Sequence, residues 1–263
     1  MTILPLRRTV QAGVVALFLA IPWLNKGGIT LLSGTLYSMA IGPLWITDPA
    51  IGLQAILTTR AMDLTLLASM TLPILLALVC GRVFCGWLCP QNTISELADL
   101  VAQRLGVRRM FRPPVNPKVR HGVLVAVLLI TALAALPLVS LLSAPGILTV
   151  QMAKGVYEHR LGPELLLIAA ILLIELLVVR RAWCNFICPV GTILGLLRTR
   201  HTLRVVFSLD NGRFCSHCQA CARACQLGLD PVTGPHAPQC HNCGDCLDAC
   251  KIVKEKKPLA FRC

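Results

Sequence analysis

Cys215, Cys218, Cys221 and Cys225 stand at the spacing C-x2-C-x2-C-x3-C, and Cys240, Cys243, Cys246 and Cys250 repeat it. Three closely spaced thiols wrap three corners of a compact iron–sulfur cubane, and the fourth thiol of such a run reaches the other cluster. The pattern predicts two [4Fe–4S] clusters. One takes Cys215, Cys218, Cys221 and Cys250, and the other takes Cys240, Cys243, Cys246 and Cys225. Structural zinc also uses C-x2-C pairs, but a tetrahedral ion needs four ligands, and each run is a dense four with little spacer between pairs. Covalent haem needs C-x-x-C-H. That is absent, because Gln219, Ala222 and Gly244 follow Cys218, Cys221 and Cys243. Gln226 and Lys251 replace the usual proline after each fourth cysteine, a departure that bears on loop shape and potential rather than ligation. His217 and His241 adjoin ligands and read as solvent-facing neighbours, since eight cysteines already complete both clusters.

A second set of thiols lies earlier. Cys85 and Cys89, and again Cys184 and Cys188, form C-x3-C-P pairs. Cysteines at i and i+4 share one face of a helix. The following proline disfavours helical backbone at the second cysteine, so each pair marks a helix break or a fresh helix start. If the two copies are related by a pseudo-two-fold axis, four thiols converge and bind a metal or cluster, or cycle as redox thiols. The alternative is that they are small hydrophobic side chains under a helix cap. Cys80 and Cys263 fit no spacing pattern. Glu175 is the remaining candidate: a carboxylate within an apolar segment is costly, and this one is placed to accept a proton from quinol, or else to pair with Arg180, Arg181 or Arg82.

The elements that must position these residues are apolar. The 263-residue chain is 56% hydrophobic and 14% charged, a composition outside the range of ordinary soluble domains. Segments 10–24, 64–80, 122–142 and 165–179 are candidate membrane spans; all but the third fall short of about 20 residues and must borrow from their flanks. The first, following Arg7 and Arg8, also has the form of a signal peptide, although no A-x-A-like site follows it. The net charge of +13 is distributed as topology rather than as a nucleic-acid patch. Segment 27–63 holds only Arg60, and segment 143–164 holds Lys154 and Arg160, so both read as external. Arg82, Arg104, Arg108, Arg109, Arg112, Lys118 and Arg120 follow the second span, and Arg180, Arg181, Arg198, Arg200 and Arg204 follow the fourth. Both termini are therefore expected in the cytoplasm, where thiols stay reduced and disulfides are disfavoured. Trp23, Trp45, Trp87 and Trp183 read as interfacial anchors, and Pro73 and Pro137 as kinks.

An internal repeat with an offset of 99 residues relates Arg82, Cys85, Cys89, Pro90, Thr93 and Ile94 to Arg181, Cys184, Cys188, Pro189, Thr192 and Ile193. Val79 and Leu97 match Val178 and Leu196 as well. The expected fold is mainly α: residues 1–206 form a four-helix transmembrane domain of two repeated hairpins, related by an axis along the bilayer normal, and residues 207–263 form a small α+β module of the bacterial two-[4Fe–4S] ferredoxin type.

The four apolar segments, the C-G-W-L-C-P and C-N-F-I-C-P motifs and the terminal pair of cysteine runs together resemble the NapH-type ferredoxin family over nearly the whole chain. MauN-type ferredoxins of methylamine utilisation are similar in layout. So are the membrane portions of nitrous-oxide regulatory proteins and of a copper-oxidase assembly factor. The resemblance implies a multi-pass protein of the bacterial inner membrane that passes electrons from the quinol pool toward periplasmic nitrate reduction. Its partner would be a NapG-like iron–sulfur protein or a multihaem cytochrome, with membrane lipid around it and no nucleic acid. It places the cluster ligands on the eight tail cysteines and the C-x3-C-P cysteines on Cys85, Cys89, Cys184 and Cys188. The competing expectation is a maturation factor that reduces a metal or thiol in another protein.

Overall fold

The computed structural model describes residues 3–107, 117–208, 215, 218–232, 239–250 and 258–262. His217 and Cys263 lie outside them. The chain is mainly helical. Helix α1 (Ile3–Lys26) is followed by a three-stranded antiparallel meander, β1 (Leu32–Gly34), β2 (Ser38–Ile41) and β3 (Leu44–Thr47). The β2–β3 connection pairs Ile41 with Leu44 across Gly42 and Pro43, and Gly42 takes the positive φ of 57° that such a two-residue turn needs at its first position. Next come α2 (Pro49–Thr59), α3 (Leu64–Cys80), a π-helical turn π1 (Phe84–Leu88) and α4 (Pro90–Arg104). The second half runs α5 (Pro117–Ala134), α6 (Leu138–Leu142), α7 (Ala144–Tyr157), α8 (Glu164–Leu177), π2 (Trp183–Ile187) and α9 (Pro189–Leu196). Strand β4 (Arg204–Phe207), helices α10 (Ala220–Ala224) and α11 (Asp245–Ala249) and strand β5 (Leu259–Arg262) complete the described fold.

The helix expected over 64–80 has those bounds, and the fourth segment forms α8. The first is longer than expected, and α1 is the one helix among the described residues that is both long and apolar enough to cross a membrane. The third segment is not one helix. Pro137 has no N–H to continue the ladder, and the chain breaks between α5 and α6 with Ala135 at φ 52°. Pro73, by contrast, sits inside α3 without ending it.

The two segments expected as external loops carry structure of their own. Each holds an additional helix, α2 in the first and α7 in the second, and most of the first turns of α7 are buried. The two halves interlock: α1 packs on α7 and α2 on α5, while α4 packs on α7 and α9 on α2. A core drawn from Ala77, Val127, Val139, Ile147, Ile168 and Leu194 joins both halves. Tyr37 lies against Gly146, where a β-carbon would enter the ring, and its hydroxyl donates to the Ser140 carbonyl at 2.7 Å.

Candidate functional site

Each C-x3-C-P pair is built by the same local device. The Cys89 N–H donates to the Phe84 carbonyl at 3.0 Å and the Cys188 N–H to the Trp183 carbonyl at 2.9 Å, so both turns are π-helical, a rare geometry found often at functional sites. Cys89 (ψ 117°) and Cys188 (ψ 112°) then turn extended, as the residue before proline must, and Pro90 and Pro189 open α4 and α9 at N1. The repeat-matched Thr93 and Thr192 hydroxyls donate back to the Cys89 and Cys188 carbonyls. Of the structures the sequence leaves open, the fresh helix start is the one formed.

The two turns face one another. Cys85, Cys89, Cys184 and Cys188 border a single small cavity, together with Arg82, Gln91, Trp183 and His241. Cys89 and Cys188 are buried, and Cys85 and Cys184 partly so. Burial pushes the thiols of Cys89 and Cys184 well up, and that of Cys188 to about 11, with the neighbouring thiols adding to the effect in each case. The convergence expected from the repeat is present. Among the described residues, no three His, Cys, Asp or Glu side chains gather closely enough to hold a metal ion.

His241 is also in the cavity wall, 3% exposed. This corrects the solvent-facing expectation. A β-carbon on Gly86 would lie 2.7 Å from the His241 carbonyl oxygen, so the glycine at the middle of the first turn makes room for the tail to dock. Two of the tryptophans expected as interfacial anchors are likewise structural here. Trp183 is buried in the cavity wall, and the Trp87 indole donates to the Asn242 carbonyl at 3.0 Å. Trp23 and Trp45 remain exposed.

The tail is held against the helical domain by polar contacts that spacing alone could not reveal. Arg82 donates to the Gln239 carbonyl at 2.6 Å. Asn242, at φ 54°, donates to the carbonyls of Cys80 (3.1 Å) and Leu203 (2.8 Å). Arg7, 1% exposed, pairs with Asp245 at 2.9 Å and Glu96 at 3.3 Å, and the Leu4 N–H donates to Asp248. Arg180 bonds both Asp99 and the Cys225 carbonyl. The basic residues are thus not only topology signals: Arg7, Arg82, Arg120 and Arg181 are among the buried side chains. The one signal available for two of them was that Arg82 and Arg181 occupy matched positions of the repeat.

Within the tail, α10 packs on α11, and β4 pairs antiparallel with β5. The Cys246 thiol is raised by burial and by the thiols of Cys240, Cys225 and Cys221 around it. Cys225 lies within electrostatic reach of Cys240, and Cys221 of Cys215. The Leu229 N–H donates to the Cys225 sulfur at 3.3 Å. Thiols buried in this way need a positive partner before they ionise, and iron would supply it. The residues present fit clusters.

Glu175 is 2% exposed in α8 and faces Ser95, the Trp183 amide and Arg181. Neither carboxylate oxygen closes a well-formed hydrogen bond. The arginines expected as alternative partners are engaged elsewhere, Arg180 and Arg181 with Asp99 at 2.9 and 3.5 Å and Arg82 with Gln239. Glu175 lies close enough to Cys184 to bear on that thiol electrostatically.

A family described as a 4Fe-4S binding domain matches residues 62–108 and 161–205. These are the two copies of the repeat, each centred on a C-x3-C-P pair rather than on the tail. The chain is 29% identical to the ferredoxin-type protein NapH of Escherichia coli over 94% of its length and 86% of that protein. It is 26% identical to the Haemophilus influenzae NapH, again over 94% of this chain and 87% of that one. It is 31% identical to the methylamine utilization ferredoxin-type protein MauN of Methylorubrum extorquens, covering 84% of this chain and 73% of the relative. No solved structure matches. The chain belongs to the family of NapH- and MauN-type ferredoxin-type proteins and is an iron–sulfur electron-transfer protein.

Proposed function

We propose that the chain is a multi-pass membrane relay that takes electrons from quinol and hands them, through two [4Fe–4S] clusters in its C-terminal module, toward a periplasmic redox system. The observation that carries this is the seating of the cysteine-bearing loop 239–246 directly on the C-x3-C-P turn through Arg82, Trp87 and Asn242. A cluster held there stands against the membrane-face turns, with the buried carboxylate of Glu175 nearby to accept a proton from quinol. Cys215, Cys218, Cys221 and Cys250 ligate one cluster, and Cys240, Cys243, Cys246 and Cys225 ligate the other. Cys225 lies within electrostatic reach of Cys240 and Cys246, as the crossover requires.

Four spans, α1, α3, α5 with α6, and α8, make up the membrane domain. Helices α3, α5 and α8 present exposed Leu72, Leu75, Leu76, Leu129, Leu133, Leu166 and Leu173, an outward apolar surface that water would penalise and lipid would not. The ion pairs from Arg7 to Asp245 and Glu96 support placing the N-terminus on the same side as the tail, in the cytoplasm. The module begins with β4, near the boundary at 207. Its partners are the quinol pool and a NapG-like iron–sulfur protein or multihaem cytochrome. The terminal system is periplasmic nitrate reduction or, as for MauN, methylamine utilisation.

Anaerobic EPR of the purified protein before and after adding a reduced quinol, with iron and sulfide measured on the same sample, tests the reading. Rapid quinol-dependent cluster reduction is expected. Clusters indifferent to quinol would move the assignment to a maturation factor, and a protein without clusters would sink both.

A further inference from the structure

The contacts between the tail and the helical domain fall unevenly on the two cysteine runs. Arg82 donates to the carbonyl of Gln239, Trp87 to that of Asn242 and Arg7 to that of Cys243, at 2.6, 3.0 and 3.4 Å. The first run is gripped at its far end. There Arg180 donates to the Cys225 carbonyl at 3.1 Å, and Gln226, at the position where a ferredoxin run usually has proline, donates to Glu96 at 3.0 Å and to Asp245 at 2.7 Å. Burial follows the same division. Gln226, Gln239, His241 and Asn242 are each no more than 5% exposed and Cys246 is buried, whereas Cys218 is exposed. Along the chain these contacts belong to both runs. Under crossover ligation they belong to one cluster, because Cys225 joins Cys240, Cys243 and Cys246.

Most of the side chains that grip this set are cationic. Positive charge and hydrogen-bond donors near an iron–sulfur cluster favour its reduced, more negative state. The guanidiniums differ in how much charge is left to act. Arg7 is balanced by Asp245 and Glu96 at 2.9 and 3.3 Å, and Arg180 by Asp99 at 2.9 Å. Arg82, 3% exposed, forms no ion pair with a carboxylate among the described residues, and its neighbour beside Gly191 is a second cation, Arg120. Arg82, Arg181, Arg7 and Arg120 all bear electrostatically on His241, the residue after Cys240, and Arg198 bears on Cys240 itself. The positive charge is thus concentrated at the start of the second run, on the ligand loop of a single cluster.

We infer that the two tail clusters are inequivalent: the one on Cys240, Cys243, Cys246 and Cys225 is the inner centre, which Arg82, assisted by Arg180, tunes to hold the first electron entering the tail, and the one on Cys215, Cys218, Cys221 and Cys250 is the outer centre. The step is a one-electron gain with no bond made or broken. The electron comes from quinol in turnover and from dithionite in a titration. Arg82 acts through the Gln239 carbonyl and is a positioning residue, not a ligand. The inference rests on the two-cluster reading of the tail and adds an order to it.

The test is an anaerobic EPR redox titration of the full-length protein with dithionite, its tail signals assigned by Cys243→Ser and Cys218→Ser. Of the two signals so assigned, the one altered by Cys243→Ser should appear first. The opposite order would overturn the inference and leave both clusters standing, whereas ligand variants that alter no signal would remove the tail clusters themselves. Arg82→Met should shift the reduction equilibrium of the first signal toward the oxidised state by about tenfold or more, about 59 mV for one electron, and leave the second in place. Arg180→Met should move the same signal by less, because Asp99 already offsets that charge, and Arg180→Lys should hold it near its wild-type position. A purely structural role for Arg82 would lower cluster content without moving the potential, and that outcome, or a shift of the outer signal instead, would overturn the tuning. Because the wild-type order decides by itself, an arginine variant that fails to fold does not shield the inference.

Discussion

Replacing Gly86 by alanine should loosen the tail from the π1 turn. The added methyl would meet the His241 carbonyl oxygen at 2.7 Å and its Cδ2 at 3.0 Å. The first is backbone, so relief requires the docked loop itself to move. Overpacking of this kind costs about 1–3 kcal/mol, against a gain of up to about 1 kcal/mol in helical propensity for alanine over glycine. A penalty of 1–3 kcal/mol is about a 5- to 150-fold shift in the docking equilibrium, since 1.4 kcal/mol is tenfold. Hydrogen–deuterium exchange of residues 239–250 reads that shift directly, as faster exchange confined to this loop and to the Trp87 and Arg82 contacts it makes. Quinol-driven reduction of the tail clusters should slow in the same variant while iron content holds. Gly122→Ala is the control, because a β-carbon there meets nothing within 4 Å and α5 should gain slightly. Wild-type exchange across 239–250 in Gly86→Ala would refute the assignment of this glycine as the docking point.

Four further outcomes are expected. Glu175→Gln should depress quinol oxidation strongly and leave iron content and the EPR signals of dithionite-reduced protein unchanged; an unaltered turnover rate removes Glu175 from the proton path. Arg7→Met strips Asp245 and Glu96 of their buried partner, at a cost of roughly 3–5 kcal/mol for a fully buried pair and less here because both carboxylates are partly exposed. It should lower the melting temperature and release the tail to protease. Asn242→Ala loses two hydrogen bonds to the Cys80 and Leu203 carbonyls and a residue type tolerant of positive φ, about 1–3 kcal/mol in a denaturant titration, and Asn242→Gly should recover only the backbone part. Burial raises the Asp48 carboxyl to about 6, so the folded state binds its proton more tightly than the unfolded chain does. Its contribution to stability is therefore present below pH 4 and lost as pH rises through about 6. Some of its surface stays open, which limits the effect to within about 3 kcal/mol. Asp48→Asn keeps an acceptor for the Ala50 N–H and should flatten that slope.

What the sequence revealed was what is written in local spacing. The cysteine runs, the helix over 64–80 and the pairing of the two C-x3-C-P turns are legible because metal ligation, apolar length and pre-proline geometry act within a few residues. The break at Pro137 was half legible: proline announces a kink, but whether the helix continues, as at Pro73, or stops depends on packing on either side. Helices α2 and α7 were missed because a stretch short of charge was read as an external loop, whereas burial against other helices depletes charge just as well. His241 was misplaced for a related reason. Satisfied ligand counts say nothing about where a neighbouring side chain points, and the cue was the glycine at 86, whose need for space makes sense only once the tail is folded back upon it.

The buried arginines sharpen the same point about charge. A guanidinium in an apolar protein costs several kcal/mol unless it is paired. Arg7 and Arg181 meet carboxylates, whereas Arg82 meets a carbonyl and a cavity walled by thiols, and Arg120 meets a hydroxyl. Counted along the chain, all four look like cytoplasmic topology signals. Counted in space, two of them balance Asp and Glu in the seam between the tail and the helical domain, and the other two lie within electrostatic reach of the cavity thiols. If the thiols stayed protonated, the Arg82 and Arg120 pair would be a net destabilising feature that Met or Gln should relieve. If the thiols ligate iron, the same substitutions should destabilise the loaded protein. The sign of the change in melting temperature for Arg120→Gln, measured on iron-replete and iron-depleted protein, therefore separates the two states of the cavity without reference to turnover.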